Sequence, residues 1–276
     1  MNDKLRICLI GIGRTGQEIA RTIMDQDDLE LVMAVCKSKS DKLGKTVNDL
    51  LHLNQYEVPI TSVEDLEDNI LKYNPDVAID FSSPTATLNN VHTLSKLKIP
   101  VVIGTTGFSE DDAQQLIALS EKYQSGIVHA PNITQGVNVL MMLTNLATSI
   151  LESYDCEIVE SHFKEKKDAP SGTAKKIALE ALKGQSFFDS EINHDDYTQI
   201  PIHAIRAGGI IGSHKVVLAG QHDKLEITHE SFSRTAFALG AIRACKYVVG
   251  KKGFYTMRDV LDMKQVMSRY IELSEI

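Results

Sequence analysis

The sequence has no tryptophan, only 6% aromatic residues, seven prolines and four cysteines in 276 residues. The cysteines, Cys8, Cys36, Cys156 and Cys245, are far apart and form no CxxC pair, which argues against a disulfide framework and against a thiolate metal site. No apolar run reaches the ~18 residues that a membrane-spanning helix needs, so no membrane partner is expected. The short apolar stretch near the N-terminus is broken by glycines and reads as a buried strand, not a signal peptide, and a cytoplasmic location is the expectation. Positive charge is also in deficit. A net charge of -8 argues against a nucleic-acid partner, because phosphate backbones need a basic surface. Any anionic ligand must then be held by local charge.

What is present is enough apolar material, 43%, for a sizeable core and two domains. Near-continuous apolar runs at 5–10, 29–36, 76–81, 100–103 and 126–130 alternate with helical periodicity, as in Ile19, Ala20, Ile23 and Met24. The fold class this predicts is α/β, a Rossmann-like doubly wound parallel sheet with both faces covered. The run 136–152 is apolar nearly all round and predicts a buried helix joining this domain to the next. Beyond it, the strand-like runs 157–163, 199–206, 213–219 and 224–231, with one helix at 173–182, predict an α+β domain with a mixed sheet. From Arg234 the pattern is helical again. The expected division is 1–130 with 234–276 as a dinucleotide-binding domain, and 131–233 as a substrate-binding and oligomerisation domain.

Gly11-Ile12-Gly13-Arg14-Thr15-Gly16 follows a predicted strand and opens a predicted helix. In that context GxGxxG permits a tight turn and close approach of backbone amides to a pyrophosphate. The end of the second strand, where an NAD site places an acidic residue, holds Lys37-Ser38-Lys39-Ser40 instead, so NADPH is the expected cofactor with NADH tolerated. Phe81 in the Asp80–Pro84 loop, Gly104, Thr105 and Thr106 after the next strand, and Ala130, Pro131 and Asn132 after the one following lie at carboxyl ends of strands, where ligands of open α/β sheets bind. His162 to Thr173 forms a lysine-rich loop that leads into a helix N-capped by Ser171, whose first amides near Gly172 and Thr173 face an anion beside Lys166 and Lys164. His214 and His229 read as satisfied core or interface histidines in preference to catalysts. His92, His129, His203 and His222 show no metal-ligand spacing, so no metal is expected.

The segments DFSSP, VVIGTTGF, APNITQGVNVL, EIVESHFKEKKDAPSGTA, IRAGGIIGSHKV and ITHESFSRTAFALGA resemble the 4-hydroxy-tetrahydrodipicolinate reductases over most of the chain. The resemblance implies reduction of a small anionic dicarboxylate imine in lysine and diaminopimelate biosynthesis. It implies His162 and Lys166 as catalytic residues, His162, Lys166, Ser171, Gly172 and Thr173 as substrate ligands, Arg234 as a cofactor or hinge contact, and a homotetramer. Three places depart from the family pattern: the glycine loop is a residue shorter, Phe163 replaces a second histidine, and Ile133-Thr134-Gln135 replaces an aromatic and serine run. Two further readings stay open on these residues: a paralogous oxidoreductase of another amino-acid-derived imine or amine, resembling diaminopentanoate dehydrogenase, and a catalytically silent NADPH-binding sensor.

Overall fold

The structure, a computed structural model, describes residues 4–54, 56–188, 193 and 195–274. The chain divides into two compact units, 1–133 with 237–276 and 134–236. In the first unit seven strands form one parallel sheet: β1 (Leu5–Ile10), β2 (Leu29–Cys36), β3 (Ile60–Ser62), β4 (Val77–Asp80), β5 (Val101–Ile103), β6 (Gly126–His129) and, after the second unit, a returning strand at Gly253–Thr256. Their order is returning strand, β6, β5, β4, β1, β2, β3. The order reverses between β1 and β4, the switch point at which such sheets bind ligands.

Alternate side chains of these strands enter different cores. Ile7, Leu9 and Leu31 join one cluster with the helices Arg14–Met24 and Thr235–Val248, while Cys8, Ile10, Met33 and Ala78 join a second with the helix Pro84–Lys96. Two covered faces explain why the strands read as unbroken apolar runs. The two edge strands, β3 and Gly253–Thr256, are of three and four residues and were not marked by the sequence pattern. Edge positions need little apolar length, and the second lies among helical stretches.

The second unit holds β7 (Asp155–His162), β8 (Ile202–Arg206), β9 (Gly212–Ala219) and β10 (Lys224–Ser231). With the returning strand labelled β11, the four pair in the order β10-β9-β7-β8. β7 and β8 run parallel and the other pairs antiparallel, a mixed sheet. One face packs on the helices Gln135–Thr148 and Gly172–Gln185 through Ile158, Val216, Leu218, Val137, Ile177 and Ala181. The expectation that the first of these helices is buried all round is corrected here. It buries Val137, Leu140, Met141, Thr144 and Thr148, and leaves Val139, Leu143 and Leu146 exposed. An apolar circumference therefore did not mark a wholly buried helix; one flank meets the sheet and the second helix, and the other does not.

Candidate active site

In the first unit the glycine loop is shaped by contacts that only glycine permits. Gly11 has φ +93°, and a Cβ there would lie 2.5 Å from the Phe81 carbonyl oxygen; a Cβ on Gly16 would lie 1.9 Å from the Gly11 carbonyl oxygen. The loop therefore folds tightly against the end of β4 and the first turn of its own helix. A Cβ on Gly13 would meet nothing within 4 Å. Gly13 is the N-cap of the helix Arg14–Met24, with no side-chain cap and no acidic residue in the first turn. Thr15 stands in that first turn. The backbone amides and helix dipole there suit a pyrophosphate, and the space over Gly13 leaves room for it.

A cleft of about 390 Å³ opens on this loop, lined by Ile10 to Gly13, Val35 to Lys37, Ser40, Lys42, Ser82, Ser83 and Asn90 among others. Its size falls in the ordinary range of ligand pockets. Of the residues marked in the sequence, it gathers Gly11, Ile12, Gly13 and Lys37. Phe81 stands behind the cleft, its ring where a Cβ on Gly104 would fall. Thr105 is buried, with its hydroxyl 3.0 Å from that of Thr87; Thr106 is exposed; Ala130 is buried; and Pro131 and Asn132 are half-buried. Lys42 escaped the sequence reading, since it lies five residues beyond Lys37. Its Nζ donates to the Ile12 carbonyl at 2.7 Å and lines the cleft.

In the second unit the site grows from the period of two along β7, which turns Cys156, Ile158, Glu160 and His162 inward. Glu160 is fully buried. A carboxylate so placed requires partners. Its Oε1 accepts from the Arg206 guanidinium at 2.6 Å and from the Ser171 backbone N–H at 3.1 Å, and its other oxygen meets His162 Nδ1. Burial pushes Glu160 upward, but the hydrogen bonds from Arg206 and His162 outweigh it and hold the carboxyl below its usual range. The sequence reading passed over Glu160. Only the alternation that makes it inward-facing, two residues before His162, could have marked it.

Burial lowers the His162 pKa more than the Glu160 contact raises it, so the imidazole is neutral near pH 7. The carboxylate then selects the tautomer with the proton on Nδ1, leaving Nε2 as an acceptor. Lys166 brings a second cation beside Arg206, its Nζ 2.7 Å from Asp168 Oδ1. Arg206, opposite His162 in the β7–β8 register, donates to the Asp168 carbonyl as well and ties the loop to the sheet. Ser171 is buried and caps the helix Gly172–Gln185, its Oγ accepting from Ala174 N at 3.2 Å. Gly172 and Thr173 form the first turn. His214 sits opposite Glu160 on β9, 5.2 Å from the His162 ring, with Nε2 3.3 Å from Ser171 Oγ. Its pKa is pushed down to about 3 by burial.

The reading of His214 and His229 as satisfied is corrected: Nδ1 of each is buried without a hydrogen-bond partner in the described structure. Glu160, His162 and His214 offer ligand atoms within 4.8 Å of one another. Arg206 and the Ser171 amide already occupy that carboxylate. Arg234 lies in the turn before the helix Thr235–Val248 and falls in the second unit.

Two family models cover nearly the whole chain: "Dihydrodipicolinate reductase, N-terminus" over residues 5–133 and "Dihydrodipicolinate reductase, C-terminus" over residues 136–261. The chain belongs to the dihydrodipicolinate reductase family. It is 39% identical to the 4-hydroxy-tetrahydrodipicolinate reductase of Methanopyrus kandleri over 264 residues, 92% of this chain and 95% of that one. It is 36% identical to the reductase of the same name from Ralstonia pickettii, covering 94% of this chain and 100% of that one. Among solved structures, the dipicolinate-bound dihydrodipicolinate reductase from Paenisporosarcina sp. TG-14 matches with a TM-score of 0.75 and 29% identity, over 92% of this chain and 97% of that one. An amine dehydrogenase from Mycobacterium smegmatis matches with a TM-score of 0.59 at 11% identity, over 91% of this chain and 94% of that one, a likeness of fold alone.

Proposed function

We propose that the protein reduces 4-hydroxy-tetrahydrodipicolinate to tetrahydrodipicolinate, using NADPH in preference to NADH, in lysine and diaminopimelate biosynthesis. The observation that carries this reading is a carboxylate-oriented His162 at the start of a segment that bears the Lys166 cation and leads into the Ser171-capped helix Gly172–Gln185, in a chain with full-length reductase relatives. Gly172, Thr173 and Ser171 bind a substrate carboxylate at the helix N-terminus, and Lys166 pairs with it. When bound, the nicotinamide supplies the hydride. Loss of the 4-hydroxyl as water, together with a ring proton, leaves the conjugated cyclic imine that takes the hydride, and Lys166 gives up a proton from Nζ to the ring as negative charge develops there. His162 keeps its Nδ1 proton on Glu160 and accepts a hydrogen bond at Nε2, so it orients the substrate while the lysine acts as the acid.

The cofactor's pyrophosphate lies on the amides of Gly11 to Gly16, with Ile12, Arg14 and Thr15 around it. Phe81, Gly104, Thr105, Thr106, Ala130, Pro131, Asn132 and Arg234 are assigned to its ribose and nicotinamide side. No residue lining the cleft is acidic, whereas Lys37 and Lys42 are cationic, which supports recognition of a 2′-phosphate. Lys42→Ala should raise KM for NADPH about tenfold, the worth of one charge-assisted hydrogen bond, and leave KM for NADH unchanged. A kcat/KM with NADH equal to that with NADPH in the parent would refute the preference.

The protein is further proposed to be cytoplasmic and to assemble as a homotetramer through the second unit. The outward positions of its sheet, among them Glu157, His203, Ile205, Glu226 and Thr228, are exposed and mix apolar with charged groups. NADPH oxidation in the presence of the aspartate semialdehyde and pyruvate condensation product, formed in situ, tests the reaction. No turnover above background, with NADPH binding intact, overturns it.

A further inference from the structure

Asp80, the last residue of β4, is fully buried, and among the described residues its side chain accepts hydrogen bonds from neutral donors alone. Ser82 donates from its backbone N–H at 2.9 Å and its hydroxyl at 2.6 Å, both to Oδ1. Thr87 Oγ1 donates to the same oxygen at 2.9 Å, and Asn90 Nδ2 donates to Oδ2 at 2.8 Å. Thr105 Oγ1 stands at 3.4 Å from Oδ1.

A buried carboxylate without a counter-charge is costly, and a turn between a strand and a helix does not require one. What distinguishes this one is where its donors come from. Ser82 belongs to the loop after β4, Thr87 and Asn90 to the helix Pro84–Lys96, and Thr105 to the loop after β5. Ser82 and Asn90 line the nucleotide cleft. Phe81, between Asp80 and Ser82, has its carbonyl against Gly11 and its ring against Gly104. One carboxylate thus fixes the wall of the cleft that faces the glycine loop. Because the Ser82 hydroxyl spends its proton on Asp80, its oxygen is left as an acceptor, suited to the hydroxyl donors of a ribose and opposite in sense to the lysine rim.

We infer that Asp80 is a positioning residue for the dinucleotide, holding Ser82, Asn90 and Thr105 so that the cleft wall is formed before the cofactor arrives and presents an acceptor to its ribose. The inference rests on the NADPH reading above. In Asp80→Asn the buried charge that gathers these donors is removed and an amide nitrogen replaces a carboxylate oxygen; adding Asn90→Asp returns the charge to the same pair with a donor facing an acceptor.

NADPH Kd, followed by enhancement of the dinucleotide's own fluorescence, should rise about tenfold in Asp80→Asn and return to within about threefold of the parent in Asp80→Asn/Asn90→Asp. Dipicolinate Kd should stay constant in both. An NADPH Kd within about twofold of the parent in Asp80→Asn, whatever happens to Tm, overturns the inference, as does a double variant that recovers Tm while its Kd stays raised. If Asp80→Asn does not fold, Thr87→Val, which removes one donor from the same oxygen, should raise the Kd about threefold, and an unchanged Kd there overturns it. A parent that binds no NADPH sinks the cofactor reading instead.

Discussion

On the proposed reading, the two units would receive negative charge by opposite means. The first does so with backbone: glycines at Gly11 and Gly16 bring amides close, and the helix N-terminus at Gly13 is left without a side-chain cap. The second does so with side chains, in a chain of contacts from Asp168 through Lys166 and Arg206 to Glu160, His162 and His214. A seat built from backbone is intolerant of added atoms and indifferent to pH. A seat built from ionisable side chains tolerates small changes of volume and responds to protonation.

The largest effect that this difference predicts comes from deleting the proposed acid. Lys166→Ala should lower kcat by about 10²- to 10⁴-fold, the usual contribution of a positioned general acid, while NADPH Kd stays constant. Steady-state rates and a fluorescence titration measure the two quantities separately, and an active variant removes the lysine from the role of acid. Next comes the backbone seat. In Gly11→Ala the added Cβ meets the Phe81 carbonyl at 2.5 Å in a left-handed conformation, which costs about 1–3 kcal/mol. Tm and NADPH affinity should both fall, with KM for the proposed dicarboxylate substrate untouched; parallel loss of both would show that the seats are not separable.

The smallest effect is the pH response of the second seat. His214 titrates at about 3 in the fold against 6.5 when unfolded. Between those values the unfolded chain holds more protons, so the stability is fully present above pH 6.5 and is lost as pH falls towards 3. From pH 6.5 to pH 5.5 the loss should be about 1 kcal/mol. His214→Asn should flatten the Tm against pH curve in that interval, and an unaltered slope would assign the effect elsewhere.

The same contrast decides what could be read from the chain alone. The glycine loop was legible because its geometry is local: strand, three glycines and helix within one short stretch. The parallel sheet followed from alternating runs, apart from the two edges, where β3 and β11, of three and four residues, are too short to leave a pattern. The His162–Thr173 loop was legible as a basic segment ahead of a capped helix. Its wiring was not, because Arg206 reaches Glu160 across 46 positions and the Asp168 carbonyl across 38. Those links depend on β7 lying parallel to β8 with His162 opposite Arg206, a register that composition does not carry. Lys42 was missed for a related reason. Its value lies in a side chain that reaches back to Ile12, which no spacing rule marks.

The position of β11 bears on the order in which the molecule comes into being. β6 acquires its outer neighbour from residues Gly253–Thr256, made only after the whole of 134–236. The second unit has its own apolar core, so it can mature while the nucleotide sheet still shows an open edge at β6. During synthesis, the later-encoded unit therefore has all its strands before the earlier one does, and the part of the protein that begins first is the last to receive its full sheet.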